Sequence, residues 1–198
     1  MPQFFYLLIM SKEIGAVILA AGYSTRFGSS KLLAKLDNGH TVFQQTLKNI
    51  SAVIPEILIV SRADIAPSLS KYSNDIIVFE QAELGMGASL SFAVKQIENW
   101  AGCLVCLGDM PFIQPETYRQ IASQLNNNKI IIPTYDSKAG NPVAFGNNYF
   151  SQLKSLQGDT GGKSIINNNA ESVSRITIDD PGILQDIDTP DDLSRLSK

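Results

Sequence analysis

Histidine, cysteine and unbroken apolar sequence are all scarce in this chain, and each shortage closes off a class of function. The single histidine, His40, stands in the turn-like string "DNGHT" and reads as a surface residue. The two cysteines, Cys103 and Cys106, form a C-x-x-C inside "GCLVCLGDMP". A redox pair needs that motif at a helix N-terminus, where a thiolate is stabilised. Here it lies in an apolar strand, where positions three apart face opposite ways, so both read as small core residues with no disulfide and no zinc site. Basic residues are not in excess: 16 Lys and Arg stand against 19 Asp and Glu, a net charge of −3, which argues against a general nucleic-acid binder. A local cationic pocket for a small anion stays open. The N-terminal apolar stretch "FFYLLIM" (Phe4 to Met10) is far shorter than a membrane span and lacks the cationic start and cleavage site of a signal peptide. The expectation is a cytoplasmic protein with no membrane contact, residues 1–13 forming an N-terminal extension to one domain over residues 14–198.

The two common phosphate loops are missing as well. G-x-G-x-x-G fails because only Gly22 and Gly28 are present after the first strand, which disfavours a dehydrogenase. The P-loop pattern fails because Gly28 is followed by Ser-Ser-Lys-Leu. A near miss, "QGDTGGKS", has Gln157 where the first glycine belongs and follows a helix-like segment instead of a strand.

What is present is alternation. Short β-branched runs, "GAVILAA" (15–21), "EILIVS" (56–61), "DIIVF" (75–79), "CLVCLG" (103–108) and "KIIIPT" (129–134), suit strands buried on both faces. Between them, residues 42–53, 88–100 and 115–125 carry helical apolar spacing, with Pro115 in the first turn of its helix. Beyond residue 135 the pattern loosens into a loop with a short strand, a helix around "YFSQLKSL" and a strand over 174–179. A last helix opens with Thr189 as N-cap and Pro190 at the first position. This is an α/β chain, a single-domain, mostly parallel, doubly wound sheet.

In such sheets ligands bind at the carboxyl ends of the strands. The first strand ends in Ala20-Ala21-Gly22, small residues that let backbone N–H groups approach a ligand, and a following helix would add its field. Arg26 and Lys31 supply two cations within ten residues of that end. "VCLGDMPF" places Asp109 at the same edge, the expected ligand of a Mg²⁺ bridging phosphates. In "QDIDTPDDL", Asp186 and Asp188 alternate and share a face if this is a strand end. Together these are the parts of a metal-assisted triphosphate site.

The string "LAAGYSTRFGSSK" resembles the L-A-[AG]-G-x-S-x-R-[MF]-G-x-x-K signature of the MobA-like nucleotidyltransferases, within them the molybdenum cofactor cytidylyltransferase type. "ELGMGASLSFAV", "LGDMPF", "GNPVAF", "GDTGGKSII" and "DIDTPDDL" follow in the same order, so the resemblance covers residues 14 to 197. It implies the nucleotide-diphospho-sugar transferase (glycosyltransferase-A-like) fold and transfer of a nucleotidyl group from an NTP to a phosphate monoester, releasing pyrophosphate. By the same resemblance Leu19, Ala20, Ala21 and Gly22 hold base and phosphates, and Gly85 and Ser89 contact base or ribose. Arg26 and Lys31 neutralise the triphosphate, and Asp109 and Asp188 bind Mg²⁺, with Asp186 a weaker candidate. "LAAG" is similar to the cytidylyl branch and "LAGG" to the guanylyl branch, so Ala21 favours CTP, with the molybdopterin cofactor as phosphorylated acceptor. Transient contact with a molybdoenzyme or its chaperone is the protein partner so implied. Two departures bear on the acceptor: Gly162-Lys163 where the branch often shows Ala-Arg, and Asn141 where His is frequent. A sugar, polyol or phospholactate acceptor, or GTP as donor, stays open, as does a non-catalytic nucleotide-binding module.

Overall fold

In the computed structural model, which describes residues 13–197, the chain forms one sheet between two helical layers. β1 (Ile14–Ala20) lies inside the sheet, parallel to β2 (Ile57–Ser61) on one side and β4 (Gly102–Leu107) on the other. β3 (Ile76–Val78) continues the parallel order beyond β2. Successive residues of β1 go to opposite layers: Ala16, Ile18 and Ala20 to one apolar cluster, Val17 and Leu19 to the other. That double burial is why the strand is apolar throughout. The first layer is built by α1 (Val42–Ser51), α2 (Ala66–Leu69) and α4 (Pro115–Gln124), through Phe43, Leu69 and Tyr118. The second is built by α3 (Met86–Val94), α5 (Phe150–Lys154) and α6 (Lys163–Asn168), through Leu90, Leu153 and Ile165.

The sheet is mostly parallel and covered on both faces, as expected, with its antiparallel strands on one side of β4. β4 is flanked on its other side by an antiparallel strand, β7 (Val143–Gly146), which pairs antiparallel with β5 (Ile130–Tyr135), and β5 pairs in parallel with β8 (Val173–Thr177). β6 (Lys138–Ala139) folds back on β5 through Asp136 and Ser137, both at positive φ, the geometry of a tight hairpin turn. Two expectations are corrected. The helix expected over 88–100 runs from Met86 to Val94; Ile97 stays buried without helical backbone, so the spacing outlasted the helix. "DIIVF" forms an edge strand of three residues with Val78 exposed, not a strand covered on both faces. Gly85, Gly87 and Gly140 are points of close approach: a Cβ would meet backbone atoms within 2.9 Å at each.

Cys103 and Cys106 are free, fully buried and turned to opposite layers. Burial pushes the Cys103 thiol up to about 12 and Cys106 higher still, so neither is a thiolate at neutral pH. α7 (Pro190–Leu196) starts as the sequence predicts, the Thr189 hydroxyl accepting from the Asp192 amide while Asp192 accepts from that of Thr189. No helix among the described residues is long and apolar enough to cross a membrane. The "FFYLLIM" stretch lies outside the described residues.

A buried carboxylate that sequence reasoning passed over ties the C-terminal segment to α4. Asp180 accepts from the Gln114 amide (2.8 Å), the Thr117 hydroxyl (2.6 Å) and the Gly182 amide (2.9 Å). Asp180→Ala leaves these donors unpaired and is expected to destabilise the fold by about 2–4 kcal/mol, read as a lower urea midpoint at unchanged m-value.

Candidate active site

A cleft of about 680 Å³ opens at the carboxyl ends of β1 and β4. Its lining includes every site residue expected from the sequence: Leu19, Ala20, Ala21, Gly22, Arg26, Lys31, Gly85, Ser89, Asp109, Asp186 and Asp188. Lys163 and Asn141, which bear on the acceptor, are not among its lining residues.

The charged floor is assembled from three distant parts of the chain. Leu32, buried in the first layer, anchors the short 3-10 turn that begins at Lys31. The Lys31 ammonium lies 2.5 Å from Asp109 Oδ2 and 2.6 Å from Asp188 Oδ1. Burial works to lower the Lys31 pKa, but Asp109 and Asp188 outweigh it and hold the ammonium above its usual range. Burial likewise works to raise Asp188, yet Lys31 and Arg26 keep it below the ordinary carboxylate value. Asp186 goes the other way, raised by burial and then by its neighbour Asp188. Arg26 reaches Asp188 Oδ2 at 2.8 Å from a side chain that is 72% exposed, a solvated pair that a ligand can draw apart at little cost.

Asp186 and Asp188 flank Ile187, which is fully buried beside Leu36 and Val42. The Ile187 amide donates to the Asp109 carbonyl (3.0 Å), docking this segment on the end of β4. The segment is irregular, not the strand end the alternation suggested, but burial of Ile187 still turns both carboxylates to the cleft.

Asp109, Asp186 and Asp188 each offer a carboxylate oxygen, all within 4.8 Å of one another. Asp109 Oδ1 is buried and has no hydrogen-bond partner, although Oδ2 is paired with Lys31. An orphaned carboxylate oxygen among hard oxygen donors is the donor set that divalent cations such as Mg²⁺ take, so the residues fit a metal.

The loop above this floor differs from expectation in one respect. No α-helix follows it directly: the 3-10 turn Lys31–Leu33 comes first, and α1 starts only at Val42. Its capacity to hold an anion therefore rests on its amides and two cations. Among the described residues, the amides of Gly22, Tyr23 and Ser24 donate to no other group of the chain. A Cβ on Gly22 would meet nothing within 4 Å and φ there is not positive, so neither packing nor backbone demands glycine. A bare backbone facing open cleft is what close approach of a ligand requires.

The opposite wall is the start of α3. Ser89, buried, donates to the Gly85 carbonyl (3.2 Å). Gly87 and Ala88 amides donate to the Gly158 carbonyl (2.8 and 3.2 Å), and the Met86 amide to Asp159 Oδ1 (3.0 Å). Gly158 and Asp159 thus belong to the cleft, though the sequence placed their block only on the acceptor side. Tyr23, Leu84 and Met86, all exposed, rim the same opening. Arg62, just beyond β2, is not among the lining residues but donates to the Gly22 carbonyl from beside the cleft; its place at a strand's carboxyl end next to β1 was the available signal in the sequence.

A profile of the MobA-like NTP transferase domain matches residues 16–173. Bifunctional protein GlmU of Buchnera aphidicola subsp. Acyrthosiphon pisum (strain Tuc7) is 31% identical over 143 residues, 70% of this chain; the chain spans 30% of that protein's length. The molybdenum cofactor cytidylyltransferase of Escherichia coli (strain K12) is 27% identical over 184 residues, covering 90% of this chain and 93% of its own. Among solved structures, Rv0371c from Mycobacterium tuberculosis H37Rv superposes with a TM-score of 0.83 at 28% identity, over 95% of this chain and 98% of that one. The sheet with its cleft is the nucleotide-diphospho-sugar transferase fold, and the chain belongs to the MobA-like NTP transferase family.

Proposed function

We propose that this protein transfers a nucleotidyl group from an NTP, CTP in the first place, to the phosphate of a small acceptor, the molybdopterin cofactor, releasing pyrophosphate. The observation that carries the reading is the meeting of Lys31, Arg26, Asp109, Asp186 and Asp188 on the floor of a cleft also lined by Gly22 to Ser24, whose amides have no partner among the described residues. An acceptor phosphate oxygen attacks the α-phosphorus, and the bond to the bridging α–β oxygen breaks. Two anions must be brought together, so positioning and charge neutralisation supply most of the rate. Mg²⁺, held by Asp109 and Asp188 with Asp186 beside them, would supply neutralisation of the phosphate charge and polarise the reacting phosphorus. Lys31 and Arg26 exchange their carboxylate partners for phosphate oxygens when the triphosphate enters. The loop amides hold the phosphates in line, and Gly85 and Ser89 face base and ribose. No side-chain nucleophile is needed. Choice of CTP rests on Ala21, a buried methyl lining the cleft where the guanylyl branch has glycine, and on likeness to a cytidylyltransferase over nearly the whole chain.

The test is pyrophosphate release from CTP, GTP, ATP and UTP with Mg²⁺, offering molybdopterin loaded with molybdate, a sugar phosphate, a polyol phosphate and phospholactate in turn. The expected result is release with CTP and molybdopterin alone. Turnover with another acceptor would redirect the reading to that chemistry. Silence throughout, with no triphosphate bound, would overturn it.

A further inference from the structure

We propose that Arg62 is a positioning residue for nucleotide binding, setting the pose of the phosphate-holding loop at Gly22; this rests on the triphosphate reading above. Arg62 is the first residue beyond β2, the strand beside β1, and its side chain reaches across to the loop that leaves β1. One terminal nitrogen donates to the Gly22 carbonyl, and the guanidinium carbon lies 4.5 Å from the centre of the Tyr23 ring. Nε donates to Asp64 Oδ1 at 2.7 Å, fixing the plane of the group. The side chain is only 12% exposed, so this arginine is held in place and not waving in solvent.

The consequence follows from peptide geometry. In a planar trans peptide the carbonyl of Gly22 and the amide of Tyr23 point in opposite directions. Holding the Gly22 oxygen toward Arg62 therefore fixes the Tyr23 N–H on the far side, where it has no partner among the described residues. Glycine at 22 makes rotation of this peptide cheap. Without the guanidinium, rotation would present a carbonyl oxygen where a phosphate needs a donor. The Leu19 carbonyl, inside β1, accepts from the Gly108 amide just past β4 (3.0 Å), so the strand end from which the loop springs is tied to the other neighbouring strand. Lysine cannot reproduce the grip, because one ammonium cannot hold Gly22 and Asp64 and lie flat on Tyr23 together.

The experiment compares the wild-type protein with Arg62→Lys, Arg62→Met and Asp64→Ala, measuring melting temperature, CTP affinity with Mg²⁺, and KM and kcat for each substrate. For folded Arg62→Lys, the expected result is CTP affinity weakened about tenfold or more, with acceptor KM unchanged. Asp64→Ala, which removes only the brace, should fall between it and wild type and carries the test if the Arg62 variants fail to fold. A merely structural role would lower the melting temperature and kcat while leaving the CTP KM of the folded fraction alone. Wild-type CTP affinity in folded Arg62→Lys and Asp64→Ala overturns this inference by itself. If the wild-type protein binds no triphosphate, the function reading falls and takes this one with it.

Discussion

Lys31→Ala is expected to lower pyrophosphate release by on the order of a hundred- to a thousandfold at saturating substrate, with the fold retained. The ammonium is 12% exposed and already in contact with the two carboxylates at the centre of the site, so its charge acts where water screens it least. Stability should shift in a diagnostic way. With Lys31 gone, Asp109, Asp186 and Asp188 face one another with only the solvated Arg26 to offset them, so the melting temperature without divalent metal should drop. Millimolar Mg²⁺ should restore it. A variant that turns over at the wild-type rate would remove Lys31 from the mechanism, and a metal-insensitive melting temperature would argue against a shared charge centre.

Asp109→Asn is expected to leave the metal-free stability nearly unchanged, unlike Lys31→Ala, with an equally severe effect on rate. Two carboxylates then remain against two cations, so the metal-free protein should melt near the wild-type temperature. The loss falls on metal binding, because an amide oxygen is a weaker ligand than the buried, unpartnered carboxylate oxygen it replaces. Losing metal assistance removes several kcal/mol of transition-state stabilisation, a fall on the order of a thousandfold or more. Calorimetric titration with Mn²⁺ checks the first half and steady-state kinetics the second. Undiminished Mn²⁺ affinity in this variant would move the metal elsewhere.

Much of this site could be read from sequence because its parts stand at strand ends, and strands buried on both faces announce themselves as unbroken apolar runs. β1 and β4 are of this kind, so Gly22 and Asp109 could be placed on one edge before any coordinates. Asp186 and Asp188 were found by their alternation around Ile187, which holds although the segment is not a strand, since burial of Ile187 imposes the same facing. The direction of β7 was not legible: four residues, "VAFG", carry the same pattern whether they run parallel or antiparallel. The end of α3 was misplaced because Ile97 is buried without being helical. Arg62 and Asp159 escaped for a different reason. Their roles lie in bonds to backbone groups of Gly22 and Met86, and no residue pattern encodes which carbonyl or amide a side chain will meet.

The most direct measurement is the fate of the α-phosphorus. The protein would be mixed with CTP labelled there, Mg²⁺ and molybdopterin carrying molybdate, and the label followed by phosphorus NMR and chromatography. The labelled phosphorus is expected to pass into a pyrophosphate linkage joining cytidine to the acceptor, with equimolar unlabelled pyrophosphate released. Label appearing only in free CMP, or remaining in CTP that the protein does not bind, would contradict it.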